Sequence, residues 1–204
     1  MEKIKAVIFD IDGVLVDSRK AVVHNTLQLM REFGFDVPKE KVNTMSSAHS
    51  AETVLVTLVP SLRRKRSLLK KMLLRLSELT RENLHMIKPL FMIRRIQKLS
   101  EKYLLAIATN RKRSAKLILQ KFKVEQYFSC VMTSADAAPK PSPQMLISAL
   151  KALQVKPNEA LFVGDNKEDA LAAKRATVKF LLLDGKNRAS CQKFVLSLMK
   201  GEPL

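Results

Sequence analysis

From Pro89 onward the chain alternates short apolar runs with helical stretches of about ten residues, and no other feature constrains the fold as strongly. Residues 103–108, 127–132, 160–163 and 179–183 read as strands. Residues 91–102, 113–122, 143–153, 167–176 and 189–199 read as helices, with Pro143 in a first turn, where a missing N–H is tolerated. Strand–helix–strand crossovers within one sheet are right-handed, so the pattern predicts a parallel sheet covered by helices on both faces. A strand buried on both faces is a near-continuous apolar run. Residues 4–9 have that character and join the sheet. Between residues 19 and 88 there is no convincing strand pair. Helical periodicity covers 19–33, closed by Gly34 and Pro38, and 61–84, while 52–58 reads as a shorter helix or an extended piece. The expected organisation is an α/β, doubly wound core of residues 1–16 and 88–204 with an α-helical domain, residues 17–87, inserted.

In an open parallel sheet, ligands bind outside the carboxyl ends of the strands. Asp10 and Asp12 follow the first strand, and Thr109 and Asn110 the second. Ser134, Asp136 and then Lys140, between two prolines, follow the third; Gly164, Asp165 and Asp169 follow the fourth. Carboxylates gathered at one edge repel and raise one another's pKa unless a cation sits among them. Hard oxygen ligands with open positions suit Mg²⁺, which binds through one or two carboxylates plus substrate phosphate. A lysine and hydroxyl or amide donors beside it would neutralise the remaining phosphate oxygens, which makes a phosphoryl-transfer site. Taken singly, each group has a plainer reading. Asp10 and Asp12 suit a solvated turn, Thr109–Asn110 a helix cap, Lys140 a surface loop, and Asp165 and Asp169 caps of the next helix.

Four segments at these strand ends carry a resemblance. They are Asp10-Ile11-Asp12-Gly13-Val14-Leu15-Val16-Asp17-Ser18, Ala108-Thr109-Asn110, Pro139-Lys140-Pro141-Ser142-Pro143 and Val163-Gly164-Asp165-Asn166-Lys167-Glu168-Asp169. In order and spacing they resemble the motifs of the haloacid dehalogenase superfamily, in its phosphoglycolate-phosphatase-like and β-phosphoglucomutase-like branch with a helical cap. The resemblance implies a Rossmann-like core and a Mg²⁺-dependent phosphatase acting on a small phosphorylated metabolite, a phosphoglycolate-like phosphomonoester. It implies that Asp10 attacks phosphorus and that Asp12 protonates the leaving oxygen and then deprotonates water. Thr109 and the backbone amide of Asn110 would hold phosphate oxygens, and Lys140 would bridge the phosphate and Asp10. Asp165 would ligate Mg²⁺ with Asp10 and the Asp12 carbonyl oxygen, with Asp169 supporting the metal site. The dehalogenating branch lacks the second aspartate, so Asp12 favours phosphate over halide. A phosphomutase of the β-phosphoglucomutase type is the alternative within the family. Where many members have Gly after the alanine closing the last motif helix, Thr177 follows Ala176 here.

The formal charge of +18, from 37 basic and 19 acidic residues, favours anionic partners without identifying one. Its densest expression is residues 61–75, which carry Arg63, Arg64, Lys65, Arg66, Lys70, Lys71 and Arg75 and no acid. On a helical wheel Leu62, Leu68, Leu69, Met72, Leu73 and Leu76 share one arc opposite most of these cations, while Lys65 and Leu74 fall off the pattern. The segment reads either as a solvated face or as a docking patch for anionic substrates or nucleic acid, an alternative function of another class. Few aromatics accompany it, so base stacking is not supported. Cys130 and Cys191 lack CxxC spacing, and no run approaches the roughly 18 apolar residues of a membrane span. The apolar run before Asp10 is too short for a signal peptide, so a cytoplasmic monomer or homodimer with reduced thiols is expected.

Overall fold

The structure is a computed structural model that describes residues 3–45, 50–183, 193, 196–198 and 200. The chain divides into two compact units, Met1–Asp17 with Pro89–Leu204, and Ser18–Lys88.

The first unit is built on five strands: β1 (Ala6–Phe9), β2 (Leu104–Thr109), β3 (Cys130–Thr133), β4 (Ala160–Gly164) and β5 (Lys179–Leu182). All neighbours run parallel, in the order β3-β2-β1-β4-β5. The chain winds outward from β1 through β2 to β3, then returns to the other side of β1 for β4 and β5. The reversal falls between β1 and β4, where Phe9 is in register with Val163. Their carboxyl ends therefore open side by side at the switch point, the place where such sheets bind ligands. Every residue of β1 is buried because both faces are covered. On one face Ala6, Ile8, Ala106 and Phe162 pack with Met145, Leu146, Ala149, Ala172 and Ala173. Burying each large side chain here contributes about 1.5–3 kcal/mol.

The covering helices are α5 (Ile96–Ser100), α6 (Ser114–Lys121), α7 (Gln144–Leu153) and α8 (Lys167–Arg175). Two elements are shorter than periodicity suggests. Residues 91–102 split into a 3₁₀ turn, Phe91–Arg95, followed by α5. Before β3 a 3₁₀ turn occupies Glu125–Tyr127, and Phe128 packs edge-on against Phe9 with ring centroids 6.4 Å apart. Pairing of β3 starts only at Cys130. Pro143 is the residue before α7 rather than within it. The helix expected over residues 189–199, like Cys191, lies mostly outside the described residues; 193, 196–198 and 200 are helical. Among the described residues no helix is long and apolar enough to cross a membrane.

Helices α6, α7 and α8 each end on a non-glycine residue in the left-handed region: Lys123, Gln154 and Thr177, at φ of 55°, 56° and 55°. After α8 the Thr177 and Val178 N–H groups donate to the carbonyls of Lys174 and Ala173, the double bond of a Schellman ending. That ending favours glycine, and a β-branched residue tolerates it least. Thr177→Gly is expected to raise stability by about 1 kcal/mol in urea unfolding, the left-handed penalty exceeding glycine's chain entropy. A variant no more stable than wild type would show that the ending is unstrained.

The second unit is helical: α1 (Arg19–Glu32), α2 (Lys39–Met45), α3 (Ala51–Leu58) and α4 (Arg66–Glu82). Leu29, Met30, Val42, Leu55, Leu62, Met72 and Leu79 form its core. Helix α2 escapes a periodicity reading because it is seven residues long and buries only Val42. The expected helix over 61–84 is broken into a 3₁₀ turn, Pro60–Arg63, then α4, then a 3₁₀ turn, Leu84–Met86. Pro60 opens the first turn, and the cations Arg63 to Arg66 oppose the positive end of a helix dipole. Lys65 therefore precedes α4, which explains its place off the wheel. Of the histidines, His24 and His85 are exposed, and His49 lies outside the described residues.

Candidate active site

The loop leaving β1 is shaped by Gly13, whose φ of +73° suits glycine. A Cβ there would lie 1.8 Å from Oδ2 of Asp165, so the loop and the end of β4 approach as only glycine allows. The Asp10 N–H donates to the Val163 carbonyl at 2.9 Å and continues the sheet by one residue. The residue is buried, 5% exposed, and its carboxylate Oδ1 lies 3.0 Å from Lys140 Nζ. The same ammonium lies 2.6 Å from Asp169 Oδ1 and 5.3 Å from the centroid of Phe162. Both contacts have ion-pair distances, and Asp10 Oδ1, Asp169 Oδ1 and Lys140 Nζ are all shut off from solvent.

Lys140 is fixed from behind by Asn110. The Asn110 side chain accepts from the Lys140 N–H at 2.7 Å and donates to the Lys140 carbonyl at 3.1 Å. Asp169, fully buried, accepts from the Asp165 N–H at 3.1 Å, while its own N–H donates to Asn166 Oδ1 at 2.9 Å. Asn166 is thus the cap of α8, and both aspartates are left for other work. Gly164 makes room: a Cβ there would lie 2.5 Å from the Asp169 side chain. Thr109, buried at the end of β2, accepts at Oγ1 from the Arg111 N–H at 3.3 Å, and α6 begins only at Ser114.

The family model of haloacid dehalogenase-like hydrolases matches residues 7–183. The chain belongs to that family. It is an enzyme, a hydrolase. A pyrophosphatase PpaX from Bacillus mycoides is 27% identical over 187 residues, which cover 87% of this chain and 82% of the relative. The PpaX of Anoxybacillus flavithermus is 41% identical over 87 residues, 41% of this chain and 40% of that protein's length. Among solved structures, a haloacid dehalogenase-superfamily hydrolase of subfamily IA from Geobacter sulfurreducens is 28% identical with a TM-score of 0.71, covering 88% of this chain and 89% of that one. A proposed phosphoglycolate phosphatase from Lactobacillus plantarum shares the fold at 21% identity and a TM-score of 0.80, covering 97% and 100%.

In this haloacid dehalogenase-like hydrolase the predicted residues separate into two groups. Asp10, Lys140, Asp165 and Asp169 converge, and Asn110 supports Lys140. The Asp12 carboxylate instead faces Arg111, whose Nε and Nη2 donate to its two oxygens at 2.7 and 2.8 Å. Arg111 is in turn braced by Nη1 donating to Ser114 Oγ at 2.9 Å. The sequence reading passed over Arg111. Its signal was adjacency, a cation immediately after the Thr109–Asn110 pair at a strand end.

Burial dominates the electrostatics. It pushes the Asp10 carboxyl up to about 7, with repulsion from Asp169, Asp12 and Asp165 adding to it and the charge of Lys140 opposing it. Asp165 is raised to about 6, again by burial and then by Asp169, against a hydrogen bond from Asn166. Burial alone would pull the Lys140 ammonium down, but the charges of Asp10 and Asp169 outweigh it and hold it above the usual lysine range. Carboxylate oxygens of Asp10, Asp165 and Asp169 lie within 4.8 Å of one another. The donors are all hard oxygens, two of them on buried residues, so the residues fit a cation of the Mg²⁺ kind. Asp169, spent on Lys140 and the Asp165 amide, holds the other members in place.

Proposed function

We propose that the protein is a Mg²⁺-dependent phosphatase that hydrolyses a small phosphomonoester of the phosphoglycolate kind through an aspartyl-phosphate on Asp10, with Ser18–Lys88 as its cap domain. The observation that carries this reading is the buried Asp10 carboxylate 3.0 Å from Lys140, within an all-carboxylate cluster at the sheet's switch point. An Asp10 oxygen attacks phosphorus and the bond to the leaving oxygen breaks, with Asp12 delivering a proton to that oxygen. Water then attacks phosphorus, Asp12 takes its proton, and Asp10 is released with inorganic phosphate. Lys140 orients the nucleophile and neutralises phosphate charge, and Thr109 and the Asn110 amide hold the other oxygens. Asp10, Asp165 and the Asp12 carbonyl would hold Mg²⁺, which supplies charge neutralisation for nucleophile and phosphate together.

Phosphate release from a panel of phosphorylated metabolites, with Mg²⁺ or a chelator, tests the reading. Phosphoglycolate belongs in the panel, and so does pyrophosphate, since relatives bear the name pyrophosphatase. Turnover without a bisphosphate activator separates a phosphatase from a mutase; no release from any compound would end the proposal.

The raised carboxyls make a linked prediction. A folded pKa above the ordinary 3.8 contributes stability that is full below that value and is lost as pH rises through about 6 for Asp165 and about 7 for Asp10. Without divalent cation the melting temperature is therefore expected to fall from pH 5 to pH 8, and Mg²⁺ to recover more of it at pH 8. A Mg²⁺ effect equal at both pH values would contradict the site.

Arg111→Ala is expected to lower kcat/KM about tenfold for alkyl phosphates, because general acid catalysis by Asp12 loses its positioned partner. For p-nitrophenyl phosphate, whose leaving group needs no proton, the loss should be smaller. Equal losses for both substrates would assign Arg111 a purely structural role.

A further inference from the structure

The basic segment of the helical unit has no part in the chemistry above, and the structure sorts its cations into two kinds. Arg75 is half-buried and fully committed: its guanidinium donates to Glu32 and Glu82 at 2.8 Å and to Glu78 at 3.2 Å. That is how this fold uses a cation structurally. Arg63, Arg64, Lys65, Arg66, Lys70 and Lys71 are all exposed, and among the described residues only Arg66 has an acid within ion-pair reach, the exposed Glu52 at 3.3 Å. Six cations within nine positions repel one another, and Arg66 and Lys70 stand one turn apart on α4, where like charges destabilise a helix. They also crowd the end of α4 where the dipole disfavours them. Nothing in the unit's own packing requires them. Arg64, Lys65, Arg66 and Lys71, with Ser67 and Leu68, line an open concavity of about 400 Å³.

We infer that this patch docks double-stranded nucleic acid through its phosphate backbone, without reading sequence. Charge complementarity selects a polyanion, since basic clusters supply most of non-specific nucleic-acid affinity through counterion release. Along α4, Arg66 and Lys70 are about 6 Å apart by helical rise, close to two phosphate steps of about 3.4 Å along one strand. A single strand is disfavoured because such sites interleave aromatics with cations. The unit's aromatics, Phe33 and Phe35, pack against its own core. A membrane surface is disfavoured because an interfacial helix needs a free apolar face. The apolar face of α4, Leu69, Met72 and Leu79, is buried inside the unit.

The test is filter binding of a duplex of about 24 base pairs, as DNA and as RNA, over a salt series, together with sedimentation on phosphatidylglycerol vesicles. Wild type is expected to retain at least one duplex at about 50 mM KCl, with affinity falling linearly in log–log against salt. Replacing Arg63, Arg64, Lys65 and Lys70 together by glutamine is expected to weaken binding at least tenfold and flatten the slope by about 3, while phosphate release stays unchanged. A control with the same charge loss on the α/β unit, Lys98, Lys151, Lys174 and Lys179 to glutamine, should lose less than about threefold. Replacing Arg63, Arg64 and Arg66 by lysine keeps charge and should keep binding, even if the glutamine variant fails to fold. Absence of duplex binding, equal losses in patch and control variants, loss of binding in the folded lysine variant, or retention on vesicles alone would each overturn the inference.

Discussion

Asp10→Asn is expected to reduce phosphate release by at least about four orders of magnitude, the scale seen when a covalent nucleophile is removed. The substitution is nearly isosteric, so the loop held by Gly13 and the Asp10 N–H bond to Val163 has no reason to move. What disappears is the oxygen nucleophile and one negative charge. The effect on stability has a definite sign. In wild type the Asp10 carboxyl is raised by burial, so it works against the fold increasingly as pH rises through about 7. The amide carries no such liability, and Lys140 keeps Asp169 at 2.6 Å as a partner. The variant should therefore melt within a few degrees of wild type at pH 6 and compare more favourably at pH 8. Mass spectrometry supplies an independent readout: wild type quenched during turnover should carry one phosphoryl group on the peptide containing Asp10, and the variant none. Near-normal release by a folded Asn variant would remove the aspartyl-phosphate mechanism altogether.

Much of this site was legible because strand ends are legible. Buried parallel strands are near-continuous apolar runs, so the residue that breaks each run marks the sheet's edge. Asp10, Thr109 and Asp165 each stand just at or after such a break. What periodicity could not show is which polar side chains spend themselves on one another. The resemblance gives Asn110 a part through its backbone amide, and nothing in the periodicity showed that its side chain clamps the backbone of Lys140, thirty residues on. Arg111 and Asp12 are 99 positions apart and meet only because β1 and β2 are neighbours. Short elements were lost for a related reason: α2 buries one residue, too few to make a period. The break before α4 was invisible to a wheel, which assumes the continuous helix it tests. Arg75 shows the same limit, since its partner Glu32 lies on another helix.

Lys140 carries the second large effect, and here activity and stability should fall together. The residue is 4% exposed, and its ammonium, shut off from solvent, is the cation between Asp10 and Asp169. Lys140→Ala is expected to slow phosphate release at least about a hundredfold, through loss of nucleophile orientation and phosphate neutralisation. It should also destabilise the fold by about 3–5 kcal/mol, because removing one member of a buried ion cluster leaves its partners uncompensated. The orphaned carboxyls can escape by taking up protons. Losing the attraction of Lys140 pushes Asp10 higher still, and an acid raised in the folded state stabilises below its ordinary pKa and ceases to do so as pH climbs. The deficit relative to wild type should therefore be smaller in urea unfolding at pH 5.5 than at pH 8. In the Asp10→Asn background one of the two negative charges is already gone, so Lys140→Ala should cost measurably less there, a coupling a double-mutant cycle reads directly. A deficit independent of both pH and Asp10, or near-full activity in the single variant, would mean that Lys140 fills space in the core without holding the nucleophile.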